Sequence, residues 1–251
     1  MHVTGLSCEI AGRTLLADVD LALERGQVLA MLGPSGSGKS LLLRCLLGLA
    51  PPTARVRGAL RWEERRFDLA DRRGLAQLRG RGLALVPQEA AASLDPVRPI
   101  GAQLAEVRDV HRGADGPAEL LAQVGLSTAF AERFPHELSG GQAQRVAIAL
   151  ALACRPTLLL ADEATAALDF VAQQELLDLM ISRCHARQIG LVLVSHDLAL
   201  LARGCARAVV LAAGRLVEDA PMERLVDAPE HPVTRTLVAA ARRSTLGSPD
   251  R

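Results

Sequence analysis

The sequence predicts an α/β fold in which strands of a parallel sheet alternate with helices. Three observations predict it. Short continuous apolar runs at Val28–Leu32, Leu83–Val86, Leu158–Ala161 and Leu191–Val194 have the length and content of buried strands. Helix-like stretches separate them, the pattern of a parallel sheet covered on both faces. Each run stops at a polar or glycine-rich segment: Gly33–Ser40, Pro87-Gln88, Asp162-Glu163 and Ser195-His196. In such sheets ligands bind beyond the carboxyl ends of the strands, so these four segments are expected on one rim.

The elements follow in order. The N-terminus runs straight into strand-like sequence, and Val19–Leu23 alternates with period two, as a half-buried strand does. Leu41–Leu49 is a helix-like apolar stretch after the glycine-rich loop. Gly58–Phe67 reads as further strand, with Trp62 a packing residue. From about Ile100 to Ala153 the chain reads as helical, broken near Gly113–Pro117 and at Phe134-Pro135. Ala208–Leu211 and Arg215–Glu218 form a hairpin that turns at Ala213-Gly214.

With 251 residues, 49% of them hydrophobic, the chain is long and apolar enough for a globular domain with its own core. A formal net charge of +1 and the lack of a basic run give no support for nucleic-acid binding. No apolar stretch approaches the ~20 residues that span a bilayer, and no signal core opens the sequence. A cytosolic protein that reaches a membrane only by docking is expected. The five cysteines, Cys8, Cys45, Cys154, Cys184 and Cys205, form no C-x-x-C pair, so packing thiols are expected rather than a metal centre.

Three segments carry chemistry. Gly33, Pro34, Ser35, Gly36, Ser37, Gly38, Lys39 and Ser40 match the phosphate-loop pattern G-x-x-x-x-G-K-[ST]. Glycines let backbone N–H groups wrap phosphate oxygens, and the following helix points its positive end at them. Lys39, the only lysine in the chain, supplies a compact cation for the β- and γ-phosphates, and Ser40 a hydroxyl for Mg²⁺. The second segment, Leu158–Glu163, is an apolar strand ending in two acids. Asp162 suits Mg²⁺ through its water shell and Glu163 suits polarisation of an attacking water. In the third, Leu138–Arg145, Ser139, Gly140 and Gly141 open a second helix. Such a start is an ordinary N-cap or an anion site.

Together these motifs resemble those of the ATP-binding subunits of ABC transporters. Gly33–Ser40 resembles the Walker A loop, Leu158–Glu163 the Walker B strand, and Leu138–Gln142 the signature motif. Gln88 lies where the Q-loop glutamine does, Ala166-Ala-Leu-Asp169 resembles the D-loop and His196 the switch histidine. The resemblance covers nearly the whole chain. It implies a P-loop ATPase core with a parallel sheet, an N-terminal antiparallel β subdomain and an inserted helical subdomain at about 90–153. The nucleotide-binding domain would span 1–240, with a tail at 241–251.

The resemblance also implies Mg-ATP held between two subunits, by the Walker residues of one and by Ser139, Gly140, Gly141, Gln142 and Asp169 of the other. Glu163, His196 and Gln88 would be catalytic, and Ser40, Gln88 and Asp162 would serve the metal. The chain departs from the family pattern in two places. No aromatic residue precedes Trp62 to stack the adenine, Ile10 or Arg13 lying about where it would be, and Ala164 replaces the usual proline after the catalytic glutamate.

Two further segments, Gln88–Pro96 with Ile100–Gln103 and His231–Leu237, are similar to the peptide and nickel importer branch. The absence of a cysteine-bearing extension points within that branch to nickel or a metal chelate, with dipeptide or oligopeptide import as the alternative and a soluble ABC ATPase as a more distant one. The implied partners are a homologous ATPase subunit (a heterodimer first, a homodimer second), two membrane-spanning permease subunits and a solute-binding protein. The implied location is the cytoplasmic face of the cell membrane, as a peripheral subunit.

Overall fold

A computed structural model describes residues 1–166 and 168–246. In chain order the strands are β1 His2–Ile10, β2 Arg13–Ala22, β3 Val28–Leu32, β4 Arg55–Trp62, β5 Arg65–Asp68, β6 Leu83–Val86, β7 Leu158–Asp162, β8 Gly190–Val194, β9 Arg207–Ala212 and β10 Arg215–Pro221. The helices are α1 Lys39–Leu46, α2 Arg72–Ala76, α3 Ile100–His111, α4 Pro117–Gln123, α5 Gly140–Ala153, α6 Phe170–Arg187, α7 Leu198–Leu201, α8 Met222–Asp227 and α9 Pro232–Leu246. Of the tail expected over 241–251, residues 247–251 lie outside the described residues.

The chain divides into two compact units, Met1–Leu78 with Val192–Arg251, and Arg79–Leu191. In the first, β1, β2, β4 and β5 form an antiparallel sheet in the order β2-β1-β4-β5. The run expected as one strand over Gly58–Phe67 is instead the hairpin β4–β5. Its turn falls at Glu63-Glu64, where Glu63 adopts a positive φ of 52°. Trp62 is buried, as a packing residue should be. Beside this sheet, β3 pairs with β9 in parallel and β9 with β10 antiparallel. All five residues of β3 are buried, which explains its unbroken apolar sequence. Arg207 joins the two sheets: its guanidinium forks onto Asp219 (2.8 and 2.6 Å) and donates to the Ala22 carbonyl (2.9 Å).

In the second unit β6 and β7 pair in parallel, Leu83 opposite Leu158 and Val86 opposite Ala161. Helices α3, α4 and α5 pack on one another, and α5 also packs on β6. Helix α5 is buried along most of its length, from Ala143 to Ala153, so its Ala-rich sequence is a requirement of close packing. The five cysteines are buried and unbridged. Burial pushes their thiols up, Cys154 to about 11 and Cys184 and Cys205 to about 12, which keeps them protonated and inert.

Candidate nucleotide site

In the first unit β3 delivers the chain into the glycine-rich loop. Gly33 has φ 155°, and a Cβ there would lie 2.2 Å from the Leu211 carbonyl oxygen and 2.8 Å from Ser37 Oγ. No side chain fits, because β9 passes directly against the loop. Gly38 occupies the N-cap of α1 at φ 107°, and no side chain caps that helix. An uncapped helix start directs backbone N–H groups at whatever the loop encloses. Lys39 is buried at 5% exposure and its Nζ donates to the carbonyls of Gly33 (2.8 Å) and Pro34 (3.0 Å). The ammonium therefore lies inside the curl of the loop. Ser37 Oγ is buried without a hydrogen-bond partner. Such a hydroxyl is costly unless a ligand satisfies it.

The loop is braced by two segments distant in sequence. Gly214 N donates to Ser37 O (3.1 Å) and Ala17 N donates to Gly214 O (2.9 Å). The β9–β10 turn thus links the loop to the middle of β2. At the end of β8, Ser195 N donates to Met31 O (3.2 Å), which sets Ser195 and His196 at the same strand end as Gly33. Ser195 is buried and its Oγ accepts from Asp197 N, while Asp197 caps α7 through Leu200 N. His196 sits exposed between these two fixed residues.

In the second unit the parallel register of β6 and β7 brings Gln88, Asp162 and Glu163 to one strand end. Asp162 is buried at 7% exposure, and Glu163 is half-buried. Glu163 has φ 45°, the left-handed region that a side chain other than glycine or Asn/Asp seldom adopts. Its carbonyl accepts from Ala166 N (3.1 Å), closing a tight turn after β7. Gln88 is exposed. The preceding residue is tethered by Gln144, whose buried amide donates to Pro87 O (3.3 Å).

Ser139 caps α5: its Oγ accepts from Gln142 N (3.3 Å), and Gln142 Oε1 accepts from Ser139 N (2.9 Å). This reciprocal box uses the Gln142 side chain locally and leaves Gly140 at the exposed helix start. Asp169 caps α6 by accepting from Ala172 N (3.0 Å). A Cβ on Gly141 would touch Leu168 at 3.4 Å, so these two helix starts lie near each other. Ala167, expected in the D-loop, lies outside the described residues. Arg145 fastens α5 further, donating to Val124 O (3.0 Å) and pairing with Glu175 of α6.

The segments similar to the importer branch also have structural roles. Gln103 is buried and its amide bridges Asp95 and Arg98, which fixes the loop after Gln88. At the start of α9, Glu218 accepts from the backbone N–H groups of Glu230 and His231, both at 3.1 Å. Among the described residues no group of three or more His, Cys, Asp or Glu side chains is gathered for a metal ion. A magnesium ion carried on a nucleotide needs only one or two protein ligands, the rest being phosphate and water.

A family model described as ABC transporter matches residues 16–166. The oligopeptide transport ATP-binding protein OppD of Lactococcus lactis subsp. cremoris (strain SK11) is 38% identical over 240 residues, 91% of this chain and 71% of that protein. The dipeptide transport ATP-binding protein DppD of Haemophilus influenzae is 35% identical over 229 residues, 88% of this chain and 69% of that protein. The solved dimeric structure of a post-hydrolysis state of the ATP-binding cassette MJ0796, bound to ADP and Pi, superposes with a TM-score of 0.74 at 28% identity, covering 88% of this chain and 98% of that one.

Proposed function

Because the chain belongs to the ABC transporter family, and is therefore an ATPase, we propose that it drives a peptide importer from the cytoplasmic face of a membrane. No described helix is long and apolar enough to cross a bilayer, so the chain is read as a peripheral subunit docked on permease subunits. The expectation of nickel gives way here. The relatives above are named for oligopeptide and dipeptide transport, which favours the alternative cargo.

The observation that carries the nucleotide reading is the phosphate loop. A buried ammonium inside the curl, an uncapped helix start and an orphaned Ser37 hydroxyl suit a polyphosphate and little else. In the proposed mechanism Lys39 moves its hydrogen bonds from the loop carbonyls to the β- and γ-phosphates. Ser40 and Asp162 would hold Mg²⁺, and Gln88 would join them. The metal, when bound, neutralises charge on the phosphates and on the leaving oxygen. Glu163 accepts a proton from the attacking water, and His196 holds the γ-phosphate and that water in place.

Ser139, Gly140, Gly141, Gln142 and Asp169 serve the nucleotide of a second ATPase subunit, head to tail with this one. That MJ0796 is dimeric with ADP and Pi bound supports the pairing of two ATPase subunits. A homologous partner, two permease subunits and a solute-binding protein complete the assembly. Loss of the bridging γ-phosphate then shifts the dimer from closed to open, because ATP and ADP differ in affinity for the two states. Reconstitution of the whole complex in proteoliposomes tests the reading. Oligopeptide with its binding protein should stimulate ATP turnover and Lys39→Ala should abolish it. Stimulation by nickel and not by peptide would reverse the choice of cargo.

A further inference from the structure

Helices α5 and α6, capped by Ser139 and Asp169, share an anchor further along their length, the C-terminal end of α4. Gly125 follows α4 at φ 72°, and the turn it makes satisfies two carbonyls. Gly125 N donates to Ala122 O (3.1 Å) and Leu126 N donates to Leu121 O (2.9 Å). The next two carbonyls, those of Gln123 and Val124, are left over by that turn. Arginines from the other two helices take them. Arg145 of α5 donates to Val124 O (3.0 Å), and Arg183 of α6 donates to Gln123 O (2.8 Å). Arg187 of α6 donates to Gln123 Oε1 and to Asp115 Oδ2, both at 2.7 Å, and Gln123 Nε2 closes the set on Asp115 (3.2 Å). Cations placed there also meet the negative end of the α4 dipole.

Arg145 ties α5 to α6 directly as well, since it pairs with Glu175 (3.2 Å). Arg145 and Glu175 each stand six residues beyond the cap of their helix, about 9 Å along the axis. The two helices are thus joined at three heights: at Gly141 and Leu168 near their starts, at Arg145 and Glu175, and at the end of α4. Joints at several heights fix rotation as well as spacing. Exposed ion pairs contribute little to stability, but the direction a guanidinium fork imposes does not depend on burial.

We infer that Arg145, Arg183 and Arg187 are positioning residues for hydrolysis at the partner's site: they hold Ser139 and Asp169 as one rigid unit that engages the nucleotide of the second subunit. This rests on the head-to-tail reading above. All three lie outside the phosphate loop, so the hold of the chain on its own ATP is independent of them.

The test reads two quantities: the ATP concentration that gives half-maximal turnover by the assembled transporter, and the affinity of the isolated full chain for ATP. Arg145→Ala and Arg183→Ala/Arg187→Ala should each raise the first by about fivefold or more, the scale of one or two charged hydrogen bonds. Both should leave the second unchanged. Arg183→Lys/Arg187→Lys should recover part of the loss, because lysine supplies the charge without the planar fork. Arg108→Ala, which breaks an ion pair confined to α3, should match the wild type in both quantities. If the arginines only support the fold, their variants will melt at a lower temperature and keep the wild-type ATP dependence, and that outcome overturns the inference. Equal weakening of both quantities overturns it too. Ser139→Ala separates the arginines from the reading on which they rest, and should raise the half-maximal ATP concentration at least as far. If it does and the arginine variants do not, the positioning role alone fails. If Ser139→Ala behaves as the wild type, the head-to-tail reading fails with it.

Discussion

Glu163 offers a test in which stability and activity separate. Its φ of 45° places a β-carbon in the left-handed region, at a cost of roughly 1–2 kcal/mol for any residue but glycine. Alanine at 163 keeps that cost and glycine removes it. Glycine also loosens the unfolded chain, which offsets about 0.5–1 kcal/mol. Glu163→Gly should therefore be more stable than Glu163→Ala by about 0.5–1 kcal/mol, or roughly 1–4 °C in melting temperature for a chain of this size. The opposite order is expected at Glu175, exposed inside α6, where alanine should exceed glycine by about 1 kcal/mol. Both Glu163 variants should lose about two to four orders of magnitude in ATP turnover, because both lack the proton acceptor. Thermal melts of the four variants, with a phosphate-release assay for the two at 163, measure this. Alanine melting as high as glycine at 163 would refute the strained turn. Substantial turnover in either would refute the role of the carboxylate.

Two other outcomes follow from contacts already described. Gln144→Leu removes the amide that holds Pro87 O, at a cost of about 1 kcal/mol for the stranded carbonyl. Nucleotide affinity should be kept while turnover in the assembled transporter falls, because Gln88 loses its anchor; equilibrium binding and turnover measured together would show it, and an equal loss in both would not fit. Glu218 gives a pH dependence. Burial pushes its carboxyl up, but this is outweighed by the buried Thr234 hydroxyl beside it, the backbone N–H groups of Glu230 and His231, and the charge on His231. The net value lies below the ordinary glutamate range. The stabilising anion is thus fully present above that range and is lost as pH falls through the lowered value. Melts of the wild type and Glu218→Gln should differ most near neutrality and converge in acid; a gap that widens in acid would contradict the assignment.

Much of this architecture could be read from sequence because the elements are punctuated. Val28–Leu32 and Leu83–Val86 are strands with the bounds their apolar runs gave, since glycine follows one and proline the other. The Gly58–Phe67 segment is strand as its sequence suggests, but its turn is hidden because it lacks Gly, Asn or Pro; Glu63 takes the positive φ there instead. The nucleotide loop is local in sequence, so its lysine and glycines were identifiable residue by residue. The parts of the candidate site that were missed depend on distant partners. Nothing in Gln144 announces that it holds Pro87, and nothing in Ala213-Gly214 announces that this turn braces Ser37. One signal was present for the first: a glutamine between Ala143 and Val146, on the buried side of a helix, needs a polar partner. The left-handed Glu163 has no such signal, because the turn that forces it is set by the packing after β7.

The central claim is that Glu163 performs the chemistry on ATP held by Gly33–Ser40. The most direct measurement is pre-steady-state ATP binding and phosphate release by Glu163→Gln in the assembled transporter. ATP should bind with near-normal affinity and stay trapped unhydrolysed in a closed pair of ATPase subunits. Phosphate release at close to the wild-type rate would contradict the account.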